Sequence, residues 1–497
     1  MCCDLEVDVN GQGIFYVNKK ILSCYSGRIR KLFMKSNDKS SRLKLIFHDF
    51  PGGAEGFQLI TQFCYNGGSL SISPSNVILL HSAGIFLEMN ETNSGPSSLV
   101  SQTEEYFRGS VHQWVWADLL ECLKQCQYLL HFISSSDMFR KLLDCVVGRL
   151  LPCSFPSPYA SSTDSSCINF SGDMSRESIS NYSSETTTNS WFEDLVFLRI
   201  DIIEKLVETM ISKKWDTNTI SSFLFHYQRM KFNSTLVVKR AEKRRIIETV
   251  IDLLSLLDRS LISIRHLFYN LRLSVPLKLS KCSKKQLENL IGSVLDKANL
   301  DDLIFPSPPE KNHAYDVDLI LRLQKQFLLE STETFPMHRS KKVALLLDSY
   351  IAEVAPDPNL QSSKFVALTT ALPAIARDSH DRIYQALDMY LKVHDKLSIE
   401  ERIKICEVLD YQKLSAEFLI ELAQNMSFPG SARLAASFSH HSKLRSISNN
   451  EGYVTKRFRT NIVDDRFDLS RGKQTEVEKF TEFGLTCPDN INPIPAL

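Results

Sequence analysis

The chain has 497 residues, 43% of them hydrophobic and 23% charged, with 58 Lys and Arg against 58 Asp and Glu. That length suits roughly three domains, and that apolar share is enough to fill their cores. A formal net charge of zero excludes a protein that works by global attraction to nucleic acid or membrane, so any electrostatic function is local.

In chain order, Cys2 and Cys3 follow Met1 without the glycine that myristoylation needs, and are read as plain thiols. No signal peptide precedes the first acidic residues, and no apolar run is long enough to span a bilayer. Leu5, Val7 and Val9 alternate with Glu6, Asp8 and Asn10, the pattern of a half-buried strand. Gly11-Gln12-Gly13 turns it back into Ile14 to Val17, which predicts a hairpin. Ser26 precedes a short helix with Ile29, Leu32 and Phe33 on one face, and Leu43, Leu45 and Phe47 alternate as another strand. Phe50-Pro51-Gly52-Gly53 breaks the chain before a helix bearing Phe57, Ile60, Phe63 and Cys64. Gly67-Gly68 ends that helix, and Ser73-Pro74-Ser75-Asn76 starts one running to about Met89.

Residues 1–90, in this order, resemble a BTB/POZ domain, an α+β fold. The resemblance is carried by Asp8-Val9, Phe15, Lys19, Leu22, Ser26, Leu32-Phe33, Asp49-Phe50-Pro51-Gly52-Gly53, Phe57, Phe63-Cys64-Tyr65 and Asn76-Val77. Many such domains place His where this chain has Asn18.

Residues 91–103, with Asn93-Ser94-Gly95-Pro96, are expected to form a loop. Residues 104–151 supply Trp114, Leu119, Leu120, Leu123, Leu129 and Leu130 to a helical extension of the first domain. Cys122 and Cys126, four apart, share a helix face and are expected to be small buried side chains. The 12 cysteines include no Cys-x-x-Cys pair and no zinc-spaced set, which fits a reducing compartment. Residues 152–190 shift to Ser, Thr and Asn. They are expected to be a disordered linker with a reach of about 35 Å, separating two folded halves, with hydroxyls open to kinases.

Beyond Trp191, the residues Leu195, Leu198, Ile202, Leu206 and Met210 mark a long amphipathic helix. Lys239-Arg240 and Lys243-Arg244-Arg245 form the densest basic cluster, at the start of an apolar helix through Ile246, Ile247, Val250, Leu253 and Leu254. No aromatic stacking set accompanies it, so it is read as a solvated helix face and no specific nucleic acid is expected. Val343, Leu346, Leu347, Tyr350, Ile351 and Val354 keep a 3.6-residue spacing until Ala355-Pro356-Asp357-Pro358 stops the helix. Phe365, Leu368 and Leu372 mark one more. With no comparable strand-like alternation, residues 191–430 should form a large all-α domain.

Asp378 to Asn425 reads as three amphipathic helices. Ile383, Ala386, Leu387, Tyr390 and Leu391 share one face, Ser379 is placed to cap, and Asp381 sits in the first turn. Ser398 and Glu401 form a capping box, and a third helix opens at Ser415. Ser379, His380 and Asp381 are adjacent, but neighbouring residues on a helix point about 100° apart and cannot relay a proton. His226, among Phe223, Phe225 and Tyr227, is read as a packed histidine. There is no phosphate loop, nucleophile elbow, kinase signature or zinc-protease helix, so no catalytic residue, cofactor or metal site is expected.

Tyr384-Gln385-Ala386-Leu387-Asp388-Met389-Tyr390-Leu391-Lys392, Cys406, Gln412-Lys413-Leu414-Ser415 and Ala423-Gln424-Asn425 resemble the core of a plant family, the non-phototropic-hypocotyl proteins of phototropin signalling. Trp191-Phe192-Glu193-Asp194-Leu195, Ile291-Gly292, Leu300-Asp301-Asp302-Leu303 and Tyr315-Asp316-Val317-Asp318-Leu319 resemble its other motifs. The Asp-Phe-Pro-Gly-Gly and Phe-Cys-Tyr runs at 49–53 and 63–65 agree with it.

The resemblance implies a substrate-specific adaptor of a cullin-three RING ubiquitin ligase. Its BTB domain would form a homodimer or heterodimer and hold the cullin. Its helical domain would hold a target that the sequence does not name, with a phototropin-type receptor kinase as signalling partner. The resemblance also implies that Tyr384 is a phosphorylation site. Next to Ile383 on its helix, Tyr384 is read as half-buried with its hydroxyl in water. The competing reading is a cytoplasmic scaffold, peripheral at the plasma membrane. Residues 431–497 read as a flexible tail. From Arg433 to Arg459 it has six Lys or Arg and one acid, Glu451. The default reading of residues 433–459 is a solvated basic tail; in the competing reading, at roughly 1 kcal/mol per basic residue, they would give weak contact with an anionic leaflet.

Overall fold

The computed structural model describes residues 3–34, 43–90, 98–150, 191–234, 239–307, 314–330 and 337–445. The chain divides into two compact units, Met1–Val354 with Asn359–Ala376, and Ala355–Pro358 with Arg377–Leu497.

The first unit begins with the hairpin, β1 (Leu5–Val9) and β2 (Gly13–Val17), and with β3 (Leu43–Phe47) parallel to β1 on its other side. Strand order is β2-β1-β3. Alternation works as read: Leu5, Val7 and Val9 are buried, while Glu6 and Asp8 face the other way. A parallel neighbour needs a crossover. It is made by α1 (Lys19–Tyr25) and α2 (Gly27–Met34). The first of these helices had no apolar stripe to announce it. Asn18 starts it, its side chain accepting the N–H groups of Lys20 and Ile21.

Below the sheet lie α3 (Gly53–Tyr65) and α4 (Val77–Phe86). Phe47, Phe50, Phe57 and Phe86 pack ring against ring, with centroids 5.3 to 6.2 Å apart. Each fully buried ring of this kind contributes about 1.5–3 kcal/mol. The turn after β1 fixes the Phe50 segment. Asn10, at φ 54°, donates from its amide to Phe50 O at 3.0 Å and accepts the Phe50 N–H at 2.8 Å. Gly52 follows at φ 72°, where a Cβ would run into the Leu79 side chain. The Asp-Phe-Pro-Gly-Gly run is thus one clamped turn.

Next comes α5 (Leu99–Ser110), which starts inside the stretch expected to be loop. Ser98 is a helix cap, accepting the Ser101 N–H at 3.3 Å and donating to Met89 O at 3.0 Å. Then follow α6 (Trp116–Ile133) and α7 (Asp137–Leu150). Cys122 and Cys126 are fully buried in α6, and burial pushes the Cys122 thiol well up. The expected linker, 152–190, lies outside the described residues.

The helix expected through Leu195, Leu198 and Ile202 is two, α8 (Trp191–Leu195) and α9 (Ile200–Ser212). Gln127 of α6 explains the break: its side chain accepts the Arg199 N–H at 2.8 Å, and its carbonyl accepts the Arg199 guanidinium at 3.3 Å. Asp194 accepts the Trp116 indole N–H at 2.8 Å, and Lys213 pairs with Asp144 at 2.8 Å. The segments on either side of 152–190 are therefore packed together in one unit, where two separated halves were expected.

The rest of the unit is α10 (Thr217–Asn233), α11 (Arg240–Leu254), α12 (Ile264–Ser274), α13 (Lys281–Ser293), α14 (Leu300–Leu303), α15 (Val317–Glu330), α16 (Met337–Val354) and α17 (Ser362–Thr370). At Gly292 of α13 a Cβ would stand 2.5 Å from Gln326 Cβ and 3.1 Å from Leu323 O of α15, so these helices meet almost backbone to backbone. Among the described residues beyond Trp191, the extended pairing is an isolated bridge between Pro306 and Tyr315.

The second unit holds the three expected helices, α18 (Asp381–Val393), α19 (Ile399–Cys406) and α20 (Ala416–Gln424). The capping box of Ser398 and Glu401 forms, and Ser415 caps α20. A fourth helix, α21, covers residues 430 to 445, where a flexible tail was expected to begin at 431. It buries Ala432, Ala436 and Ser439. These are small residues, which a search for large apolar side chains passes over. Residues 446–497 lie outside the described residues. No helix among the described residues is long and apolar enough to cross a membrane.

Candidate functional site

The motif residues of the second unit converge on one seam. Helix α18 buries Ile383, Tyr384, Ala386, Leu387, Tyr390 and Leu391. Tyr384 is only 1% exposed, which corrects its reading as half-buried. Its ring lies between Phe418 at 5.3 Å and Phe428 at 5.5 Å. Three aromatic side chains compete for the groove between α18 and α20, and closing it draws Tyr384 inward. Burial pushes its hydroxyl up to about 12. Asn425 and Glu421 are near enough to act on the hydroxyl, but neither is placed for a hydrogen bond of good geometry.

One turn along α18, Asp388 is the polar centre of the seam. It accepts from the Asn425 amide at 2.7 Å and from Lys392 at 2.6 Å. Lys413 donates to Arg377 O at 2.8 Å, the His380 N–H to Lys413 O at 3.1 Å, and the Ser415 N–H to Asp381 at 2.8 Å. The Gln-Lys-Leu-Ser run is thus sewn to the start of α18. Arg402 of α19 reaches the carbonyls of Asp395 at 2.7 Å and Ser427 at 3.1 Å.

Ser379, His380 and Asp381 each turn to a different partner. Ser379 Oγ accepts the Asp381 N–H at 3.0 Å, His380 Nδ1 accepts the Asp410 N–H at 3.0 Å, and Asp381 binds Ser415. His380, not Ser379, is the residue that precedes the helix. Burial lowers the His380 pKa and Arg377 lowers it further, so neutral imidazole is favoured. The three side chains do not form a proton relay.

Elsewhere, His226 packs on Phe192 at 5.5 Å with Nε2 3.1 Å from Glu193 Oε1. In the basic cluster, Arg244 pairs with Glu248 at 3.1 Å and Arg245 with Asp201. Among the described residues, no group of three or more His, Cys, Asp or Glu is placed to hold a metal ion. In the first unit the Phe-Cys-Tyr run is tied to the start of α1. The Tyr65 hydroxyl of Phe-Cys-Tyr accepts the Asn18 N–H at 2.7 Å.

Asp388, Lys392 and Asn425 stand inside the motifs, and nothing in the sequence alone assigns them a role. The spacing of Asp388 and Lys392, four apart on a helix, was the available signal. Gln127 carried none, because its partner stands 72 positions later.

Comparison with known proteins agrees with this arrangement. Residues 189–418 match the NPH3 family and residues 1–99 match the BTB/POZ domain. Three proteins of Arabidopsis thaliana, each described as a BTB/POZ domain-containing protein, are similar along most of the chain. One is 42% identical, over 86% of this chain and 82% of its own length. A second is 33% identical over 91% and 89%, and a third 33% over 89% and 72%. No solved structure matches the chain.

Proposed function

The chain belongs to the NPH3 family of BTB/POZ-domain proteins, and from that premise we propose that it is a substrate-specific adaptor of a cullin-three RING ubiquitin ligase. The BTB region dimerises and holds the cullin, and the helical region holds a target. The mechanism is proximity, which raises the target's concentration beside the charged ubiquitin carrier and asks no catalytic residue of this chain. The observation that carries the reading is the succession of a BTB/POZ match and an NPH3 match in one chain. In this reading a phototropin-type receptor kinase is the signalling partner, the site of action is the cytoplasm, and Tyr384 is the phosphorylation site.

The test is a pull-down of purified cullin-three by the full chain at micromolar concentration. Retention supports the adaptor, and absence of binding overturns it.

A second reading, a scaffold at the plasma membrane, is favoured by α21. That helix exposes Leu434 and Phe438, 62% and 73% accessible, along with the basic residue Arg445, while Arg433 and Lys443 are half-buried on it, a composition suited to an anionic interface. Flotation with phosphatidylserine vesicles tests it. Leu434→Ser with Phe438→Ser should release the protein, and unchanged flotation counts against the scaffold.

A further inference from the structure

The helices α10 to α13 carry a charge that the chain as a whole does not. Between Arg229 and Lys285 stand 14 Lys or Arg and four Asp or Glu, a surplus of ten positive charges in a chain of zero formal net charge. The fold gathers much of this surplus at one end of the bundle. There, α10 and α12 finish while α11 and α13 begin. Lys243 of α11 reaches Phe232 O at the end of α10, at 3.5 Å. Arg240, at the start of α11, donates to Pro276 O just beyond α12. The N–H of Ser280, which caps α13, donates to Glu248 at 2.7 Å.

Arg244 and Arg245 are neutralised there by Glu248 and Asp201. Lys239, Arg240, Lys243, Lys278 and Lys281 have no carboxylate partner among the described residues. All but Lys243 are exposed. The positive ends of the α11 and α13 dipoles add to the same sign.

We propose that this basic end of the bundle is where the helical region takes its protein partner, and that the partner's docking segment is an extended peptide rich in phosphoserine, phosphothreonine, aspartate or glutamate. This deepens the adaptor reading by giving the chemistry of the target, and it rests on the helical region being the recruiting part. Clustered lysines and an arginine held at helix ends match clustered anions along a peptide. Nucleic acid fits less well. Tyr227 is buried, and Phe232 has Lys243 over its ring at 5.2 Å, so neither offers a platform for a base. A bilayer needs a row of apolar residues, and among the described residues of this end Val275 is the large apolar side chain that is exposed.

The test titrates the full chain with a labelled synthetic peptide carrying several phosphoserines, and with the same sequence bearing Glu or Ser at those positions. The phosphorylated or the Glu peptide should bind at least about tenfold more tightly than the Ser peptide. The two arms tell a phosphate reader from a reader of acidic sequence, and either result supports the proposal. Lys239→Glu, Lys278→Glu and Lys281→Glu together should weaken binding about tenfold and flatten its salt dependence, with the circular dichroism melt unchanged. Lys396→Glu, an exposed lysine of the second unit, should leave binding as it was.

Three results would overturn the proposal: no preference over the Ser peptide, unchanged binding by the triple variant, or tighter binding of single-stranded RNA or phosphatidylserine vesicles through the same lysines. Cullin retention is measured separately. Peptide binding without cullin binding would sink the ligase and leave the surface, and the reverse would sink the surface alone.

Discussion

Gln127 and Arg199, 72 positions apart, are joined by an N–H···O bond of 2.8 Å and a second bond to the Gln127 carbonyl. That junction ties the helices behind the BTB region to the first helices of the NPH3 region. Gln127 is buried, so a truncated side chain leaves the Arg199 N–H without its partner, at a cost of about 1–3 kcal/mol. Gln127→Ala should lower the melting temperature by several degrees, while Gln127→Glu, which keeps an acceptor, should lower it less. A melt identical to wild type for the alanine variant would show that the junction contributes nothing.

Gly52 has a left-handed backbone and no room for a Cβ against Leu79. Gly52→Ala should therefore destabilise the BTB region by about 1–3 kcal/mol, from strain and overpacking together. Adding Leu79→Ala should restore part of that loss in a denaturant titration. If the single variant is as stable as wild type, the turn is not clamped as described.

His380 gives the second unit a dependence on acid. Burial lowers its pKa first, then Arg377 and Lys413, against Asp410 and Asp381, which raise it. The unfolded chain, with an ordinary value near 6.5, then takes up a proton before the folded chain does. The contribution is complete above that value and is lost as pH falls through the lowered one. The denaturant midpoint, followed by far-ultraviolet circular dichroism, should drop between pH 7 and pH 5. His380→Asn, which keeps an acceptor for the Asp410 N–H, should make that drop shallower; an equally steep drop in the variant would remove His380 as its source.

Tyr384 makes a paired prediction. Its hydroxyl has no hydrogen bond of good geometry, so Tyr384→Phe should change stability by less than about 0.5 kcal/mol, whereas Tyr384→Ala should cost about 3–5 kcal/mol by emptying the slot between Phe418 and Phe428. As a phosphorylation site it would need that slot to open first. Under a broad-specificity tyrosine kinase, Tyr384 should react far more slowly than Tyr128, which is 79% exposed. Equal rates, read by peptide mass mapping, would show that the unit is open in solution.

What the sequence made legible was local. The β1–β2 hairpin, the Ser398–Glu401 box and the apolar face of α18 depend on neighbours within a few positions, and each formed as read. What escaped it depended on distant partners. The break between α8 and α9 comes from Gln127, and the burial of Tyr384 from two phenylalanines more than thirty positions away. Helix α21 escaped for another reason: its buried stripe is Ala432, Ala436 and Ser439, which close packing favours and hydropathy hardly registers. At the seam, the motif residues were visible as a resemblance, but their joining through Asp388 was not.

The contact at Gly292 sets how far apart α13 and α15 may lie. With no side chain on Gly292 and only the Gln326 Cβ and the α15 backbone facing it, neither helix can slide or roll far without striking the other. The amide protons on both sides of that crossing should therefore be among the last to exchange with deuterated water, marking a rigid keel along which the rest of the first unit is free to breathe.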